Sequence, residues 1–268
     1  MRIIDTFPTI STCFRDGRFS LDAWRAYAAH IDPDLPHICL EDIRAYDFPT
    51  QVLPVLQAYY ARPDQARQAH EAFLLHTRTM EEKLTRIHLP VDATVILYLG
   101  LCSGAGWALT LHDEPVVLLG LEKILELGWQ DEAAMAALID HELGHLWHDQ
   151  HRSAPPFPSP ALWQLYTEGM AMYFEQRLAG DAKYFHQNKN GWLPWCEANR
   201  DALLTEYLRR ANANESVQDF FGDWCSYQDH SDVGYYLGSA LVWQLAQSRS
   251  PEQLAELSQE EFLSVFSR

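Results

Sequence analysis

The residues best suited to chemistry stand in the run His141-Glu142-Leu143-Gly144-His145. Residues four apart lie on one face of a helix, ~6 Å apart along its axis, so two imidazoles at that spacing can reach a single Zn²⁺ at about 2.0–2.1 Å. Glu142, one step round from His141, can face the open coordination position as a general base without itself being a ligand. The flanking residues favour a helix. Met135, Leu138, Ile139 and Leu143 recur at helical spacing, and Asp131 and Glu132 stand in the first turn, where the helix dipole favours negative charge. Without a metal, the same run reads as a polar helix face bearing solvated histidines.

A catalytic zinc needs a third protein ligand and a vacant position for water. Two residues are candidates. His151 completes the histidine spacing of metzincin proteases, but His148 stands where those proteins carry the glycine that ends the helix abruptly. In a helix that simply continues, His151 lies ~15 Å beyond His141 and His148 lies ~10 Å beyond it, too far to share one ion. Glu168 follows His145 after 22 intervening residues, enough for a turn and two helical turns back toward the first helix. Its helix carries Leu165, Tyr166, Ala171 and Met172. A carboxylate among such neighbours is costly unless a metal or an arginine accompanies it.

The run HELGH followed by TEGMAMYFEQ resembles the gluzincin metallopeptidases, in which a glutamate-bearing helix after HExxH supplies the third zinc ligand. The resemblance is greatest to a bacterial family of predicted Zn-dependent proteases of unknown substrate. Gly234-Tyr235-Tyr236-Leu237-Gly238 is similar to that family's GYxxG segment and to the tyrosine motif of gluzincin aminopeptidases, and the ending LSQEEFLSVF is similar too. Likeness extends over about residues 90–268. It implies a thermolysin-type catalytic domain, zinc as cofactor, and a peptide or protein substrate. It further implies His141, His145 and Glu168 as zinc ligands, Glu142 as general base, and Tyr235 as the hydroxyl that stabilises the oxyanion, with Tyr236 as the fallback. The segment Gly104 to Leu111 would be an edge strand, along which Gly106, Trp107 and Ala108 pair with an extended peptide. Two positions depart from the pattern. The Gly-x-Met-Glu-Asn type motif that reads a free amino terminus is missing from this strand, and Met172 stands where thermolysin-like proteins carry an aspartate that orients a ligand histidine. Asp140 and Glu175 are candidates for that orienting role. A zinc-stabilised binding or scaffold protein, or a zinc hydrolase of a non-peptide bond, would carry the same ligands.

The elements that must position these residues divide at Leu89. Residues 1–88 read as a helical subdomain: Ser20 caps a helix through Trp24 and Tyr27, and Pro63-Asp64 opens a longer one reaching about Ile87. Residues 89–128 hold the strand candidates VDATVILYLG, GAGWALTL and PVVLLGL, separated by a Gly/Ser cluster and by His112-Asp113-Glu114-Pro115. The span from Ala93 to Leu111 has 19 residues without a charge, close to a membrane-crossing length, but its early β-branched residues and central glycines predict two buried strands. Residues 129–180 carry the zinc-site helices. The proline-rich stretch from Ser153 to Pro160 interrupts them, Ser159 and Pro160 restart the helix, and Gly180 closes it. Residues 181–268 are again helical, with YYLGSALVWQLAQ, a start at Ser250-Pro251 and a capping box from Ser258 to Glu261. The expected class is α+β, mostly helical, with a small twisted sheet, an HExxH helix and a helical carboxyl-terminal part.

Composition narrows the partners. The chain has 268 residues, 47% hydrophobic and 21% charged, which suits a buried core and excludes a disordered or fibrous protein. A net charge of −17, spread along the chain, disfavours nucleic acid and anionic membranes as partners. Asp5 and Pro8 interrupt the beginning where a secretion signal needs an apolar run, and the five cysteines form no CxxC pair. The expected setting is the cytoplasm, with reduced cysteines in the core.

Overall fold

The computed structural model describes residues 1–222 and 224–264; Val265 and Phe266, the end of the LSQEEFLSVF segment, lie outside the described residues. The chain forms two compact units, Met1–Glu142 and Leu143–Arg268. Their boundary falls inside one continuous helix.

The first unit begins with strand β1 (Arg2–Asp5), then a hairpin of β2 (Phe14–Arg15) and β3 (Arg18–Phe19). Five α-helices follow, with two short helical turns between the second and third: α1 (Leu21–Ile31), α2 (Leu35–Asp42), α3 (Leu53–Tyr60), α4 (Pro63–Thr77) and α5 (Met80–Ile87). Ser20 Oγ caps α1 by accepting from the Ala23 N–H, as its position predicts. The helix expected to run from Pro63 to Ile87 is two. Thr77 turns its hydroxyl back onto the Phe73 carbonyl at 2.8 Å, which competes with the helical ladder, and Thr79 leaves helical geometry before Met80 restarts it.

Strands β4 (Thr94–Tyr98), β5 (Gly106–Leu111) and β6 (Glu114–Gly120) lead into α6 (Leu121–Leu127). The sheet order is β1-β4-β6-β5, with β1, β4 and β6 parallel and β5 antiparallel to β6 at the edge. Every residue of β4 is buried, as expected of a strand flanked on both sides. The uncharged span from Ala93 to Leu111 is thus two strands and their connection, and no helix among the described residues is long and apolar enough to cross a membrane. His112 and Asp113 both take positive φ, which makes the β5–β6 connection a two-residue turn whose twist matches that of the strands.

A carboxylate at the centre of this unit organises the connection from β4 to β5. Glu122 is only 1% exposed and accepts from the Gly100 N–H at 2.7 Å and the Cys102 N–H at 2.9 Å. Burial raises its pKa, and the backbone donors oppose that rise. Glu122→Gln turns one acceptor into a donor facing an N–H. We expect it to lower unfolding free energy by ~1–3 kcal/mol in urea titrations.

Helix α7 (Glu132–His151) passes from the first unit into the second, which continues with α8 (Pro160–Ala179), α9 (Trp192–Ala213), α10 (Val233–Ala246), α11 (Pro251–Ala255) and α12 (Gln259–Leu263). Ser159 caps α8 and Gly180 closes it in the left-handed conformation; Ser250 and Ser258 both form capping boxes. Helices α8 and α10 meet through glycine. A Cβ on Gly169 would stand 2.5 Å from the Gly238 carbonyl oxygen, and one on Gly238 would stand 2.4 Å from the Leu165 carbonyl oxygen. Neither backbone can yield locally, so Gly169→Ala is expected to cost ~1–3 kcal/mol of stability, read as a lower urea midpoint.

Candidate metal centre

The three expected ligands converge. His141, His145 and Glu168 each offer a donor atom, and these atoms all lie within 4.8 Å of one another. His141 is buried, whereas His145 and Glu168 are half-buried. The histidines are brought together by one turn of α7, and Glu168 comes from α8. Gly144 sets the approach of the two helices: a Cβ there would stand 2.8 Å from the Ala171 Cα and 2.9 Å from its carbonyl oxygen. His145 Nε2 consequently lies 3.3 Å from Glu168 Oε2. Two donors bound at about 2.0–2.1 Å to a tetrahedral ion stand ~3.3 Å apart, so this pair fits zinc without rearrangement. Two imidazoles and one carboxylate also match the donor set of catalytic zinc.

His151 and His148 are engaged elsewhere. With no glycine at position 148, α7 runs on to His151, whose ring stacks on Trp147 at 4.3 Å and whose Nδ1 donates to the Trp147 carbonyl at 2.8 Å. The His148 Nε2 lies 3.2 Å from the Tyr166 hydroxyl. That hydroxyl in turn donates to the carbonyls of Leu254 and Ala255, and Arg152 donates to Ala255 and Leu257. Burial, and then the charges of Arg152 and His145, push the His148 pKa down to about 3. Unfolded histidine titrates near ~6.5. The unfolded chain therefore takes up a proton that the native chain refuses between those values, and stability present above pH ~6.5 is lost as pH falls toward 3. Urea midpoints at pH 7 and pH 4.5 should show this loss, and His148→Gln, which cannot titrate, should shrink it.

Glu142 is half-buried on α7 and points to the edge strand, where its Oε2 accepts from the Ala108 N–H at 3.0 Å. Gly106, Trp107 and Ala108 all lie in β5, which has β6 on one side and an open edge on the other.

Tyr235 and Tyr236 open α10 with different surroundings. Tyr236 is buried and packs with Phe185 and Trp192, whereas Tyr235 is half-buried and meets the edge of Phe221 at 5.5 Å. The glycines of the GYYLG run are sites of close approach: Gly234 lies against Phe221, and Gly238 lies against Leu165 and Gly169, which flank Glu168 in sequence. Tyr235 thus belongs to the helix packed against the Glu168 turn.

Asp140 and Glu175 have partners that sequence alone did not reveal. Asp140 is buried and its Oδ1 lies 2.7 Å from His76 Nε2 on α4. Lys83 on α5 donates to His76 Nδ1 at 3.2 Å. Because an ammonium can only donate, His76 Nδ1 accepts and its Nε2–H donates to Asp140. Glu175 is fully buried, with Oε1 2.9 Å from His186 Nδ1. Its neighbour Gln176 accepts from Ser239 and Trp243 and donates to the Tyr184 carbonyl. His76 lies 64 residues from Asp140, and His186 follows Glu175 only after α8 has ended, so no helical spacing rule could have paired them.

A second group, Asp32, Asp34 and His112, brings ligand atoms together at the surface, where His112 Nε2 lies 3.2 Å from Asp32 and 3.5 Å from Asp34. His230 stacks on Trp195 at 3.7 Å. Among the described residues no disulfide is present; Cys13, Cys39, Cys102 and Cys196 are buried and Cys225 is half-buried. Trp147 is a core residue, whereas Trp163 and Trp243 are half-buried. No family model matches the chain, and no curated protein or solved structure matches it.

Proposed function

We propose that the chain is a zinc-dependent hydrolase of the gluzincin type that cleaves peptide bonds, with a thermolysin-like layout of edge strand, HExxH helix and glutamate helix. The observation that carries this reading is the convergence of His141, His145 and Glu168, beside a glutamate held at an open strand edge. When bound there, zinc would activate water near neutral pH and polarise a carbonyl. Glu142 accepts the proton of the attacking water and passes it to the leaving amine. The Tyr235 hydroxyl donates to the oxyanion as it develops. An extended substrate lies along β5, adding a strand by backbone hydrogen bonds. The chain's acidity points to neutral or basic peptides, and cysteines kept reduced suit the cytoplasm.

A quenched fluorescent peptide library tests this. Zinc-loaded chain should cleave members of the library, and Tyr235→Phe should keep its zinc while kcat falls by about 10²–10³ with little change in KM. Zinc-loaded protein that cleaves no member would instead support a zinc-stabilised binding protein.

A further inference from the structure

Two backbone positions of β5 are shaped around the Glu142 side chain. The first is Ala108, whose N–H donates to Glu142 Oε2 at 3.0 Å. The second is Gly106, where a Cβ would stand 2.5 Å from Glu142 Oε1, 2.7 Å from its Cγ and 2.8 Å from Leu138 Cδ1. Any side chain at 106 would displace the carboxylate from the strand.

The direction of these groups follows from the pairing. In an antiparallel ladder, successive residues turn their N–H and C=O alternately toward and away from the partner strand. The Ala105 carbonyl accepts from the Gly120 N–H, on the β6 side. Gly106, Ala108 and Thr110 therefore turn their backbone groups to the open edge, where an added strand would pair.

We infer that the Ala108 amide and the bare Cα of Gly106 form a cradle that positions the Glu142 carboxylate and, by occupying that amide, fixes the register of a peptide on β5. The inference rests on the hydrolase reading above. A bound residue opposite Ala108 still donates its N–H to the Ala108 carbonyl. Its own carbonyl, however, finds the Ala108 N–H engaged with Glu142. That carbonyl has no strand donor and stands beside the base, so the bond cleaved is the one it belongs to. Ala108 and Gly106 are positioning residues that act through Glu142.

Amide hydrogen exchange followed by NMR on the full zinc-loaded chain tests the cradle without any turnover. An edge amide turned to solvent exchanges readily, so the Ala108 N–H should be slowed in the wild type and exchange about tenfold faster or more in Glu142→Ala. The Trp107 and Leu109 amides, which face β6, should keep their rates. Equal Ala108 rates in the two proteins would overturn the cradle, whether or not the chain proves to be a hydrolase. Kinetics on a library peptide that the wild type cleaves then tests the register. Ala108→Pro removes the amide at an edge position where proline leaves the β6 ladder intact. Its zinc content should be unchanged, its kcat should fall about 10²-fold, and its KM should stay within about threefold. Gly106→Ala should show the same division. A raised KM with unchanged kcat in Ala108→Pro would mean that the amide serves the ligand rather than the base, and would overturn the assignment.

Discussion

Zinc added to the purified full chain is expected to bind at about one ion per chain and to stabilise it by ~4 kcal/mol when free zinc exceeds Kd by ~1,000-fold. Glu168→Ala should abolish most of that gain. Loss of a residue that merely supports a ligand costs about 10–100-fold in metal affinity, and loss of the only anionic ligand should exceed it. The affinity change is measured by competition with a chelator and the stoichiometry by metal analysis. The surface group of Asp32, Asp34 and His112 supplies the control, because Asp34→Asn removes a carboxylate from it and should leave the tight site intact. A zinc stoichiometry unaffected by Glu168→Ala would place the ion elsewhere and remove the basis of the proposed chemistry.

The second large effect is expected at Glu142. Glu142→Gln keeps the side chain's size and an oxygen that can still accept from the Ala108 N–H, so the contact at β5 survives while the proton acceptor is lost. Zinc content should equal that of the wild type, and kcat should fall about 10²–10⁴-fold. Undiminished turnover would remove Glu142 from its role. Together the two variants separate binding the metal from using it.

Much of the helical framework was legible because its signals are local. Ser20, Ser159, Ser250 and Ser258 each cap a helix within three residues of themselves, and Gly180 ends α8 by adopting a conformation that few residues tolerate. The spacing of two candidate metal ligands was legible for the same reason, since His141 and His145 are neighbours through a single turn. Strand β1 was not foreseen. It is four residues long, mostly exposed, and formed by parallel pairing with β4, some ninety residues away in sequence. The β2–β3 hairpin did carry a local sign, Asp16-Gly17 between two phenylalanine-bearing segments, both residues taking positive φ. The reach from Pro63 to Ile87 was too long because apolar spacing continues through Thr77, while the hydroxyl that breaks the helix is visible only in three dimensions. Likewise, nothing in the sequence announces that Asp140 meets His76, or that Glu142 leans on the backbone of β5.

The involvement of β1 and His76 bears on what the amino-terminal residues contribute to the fold. Here the opening residues supply an outer strand of the sheet, and Lys83, His76 and Asp140 join α5 and α4 to the helix that bears His141. Trimming the chain at Leu89 would remove the strand that pairs with one side of β4 and the imidazole that meets Asp140. Residues 1–88 thus share one compact unit with the sheet and with the first half of α7, instead of standing apart from them.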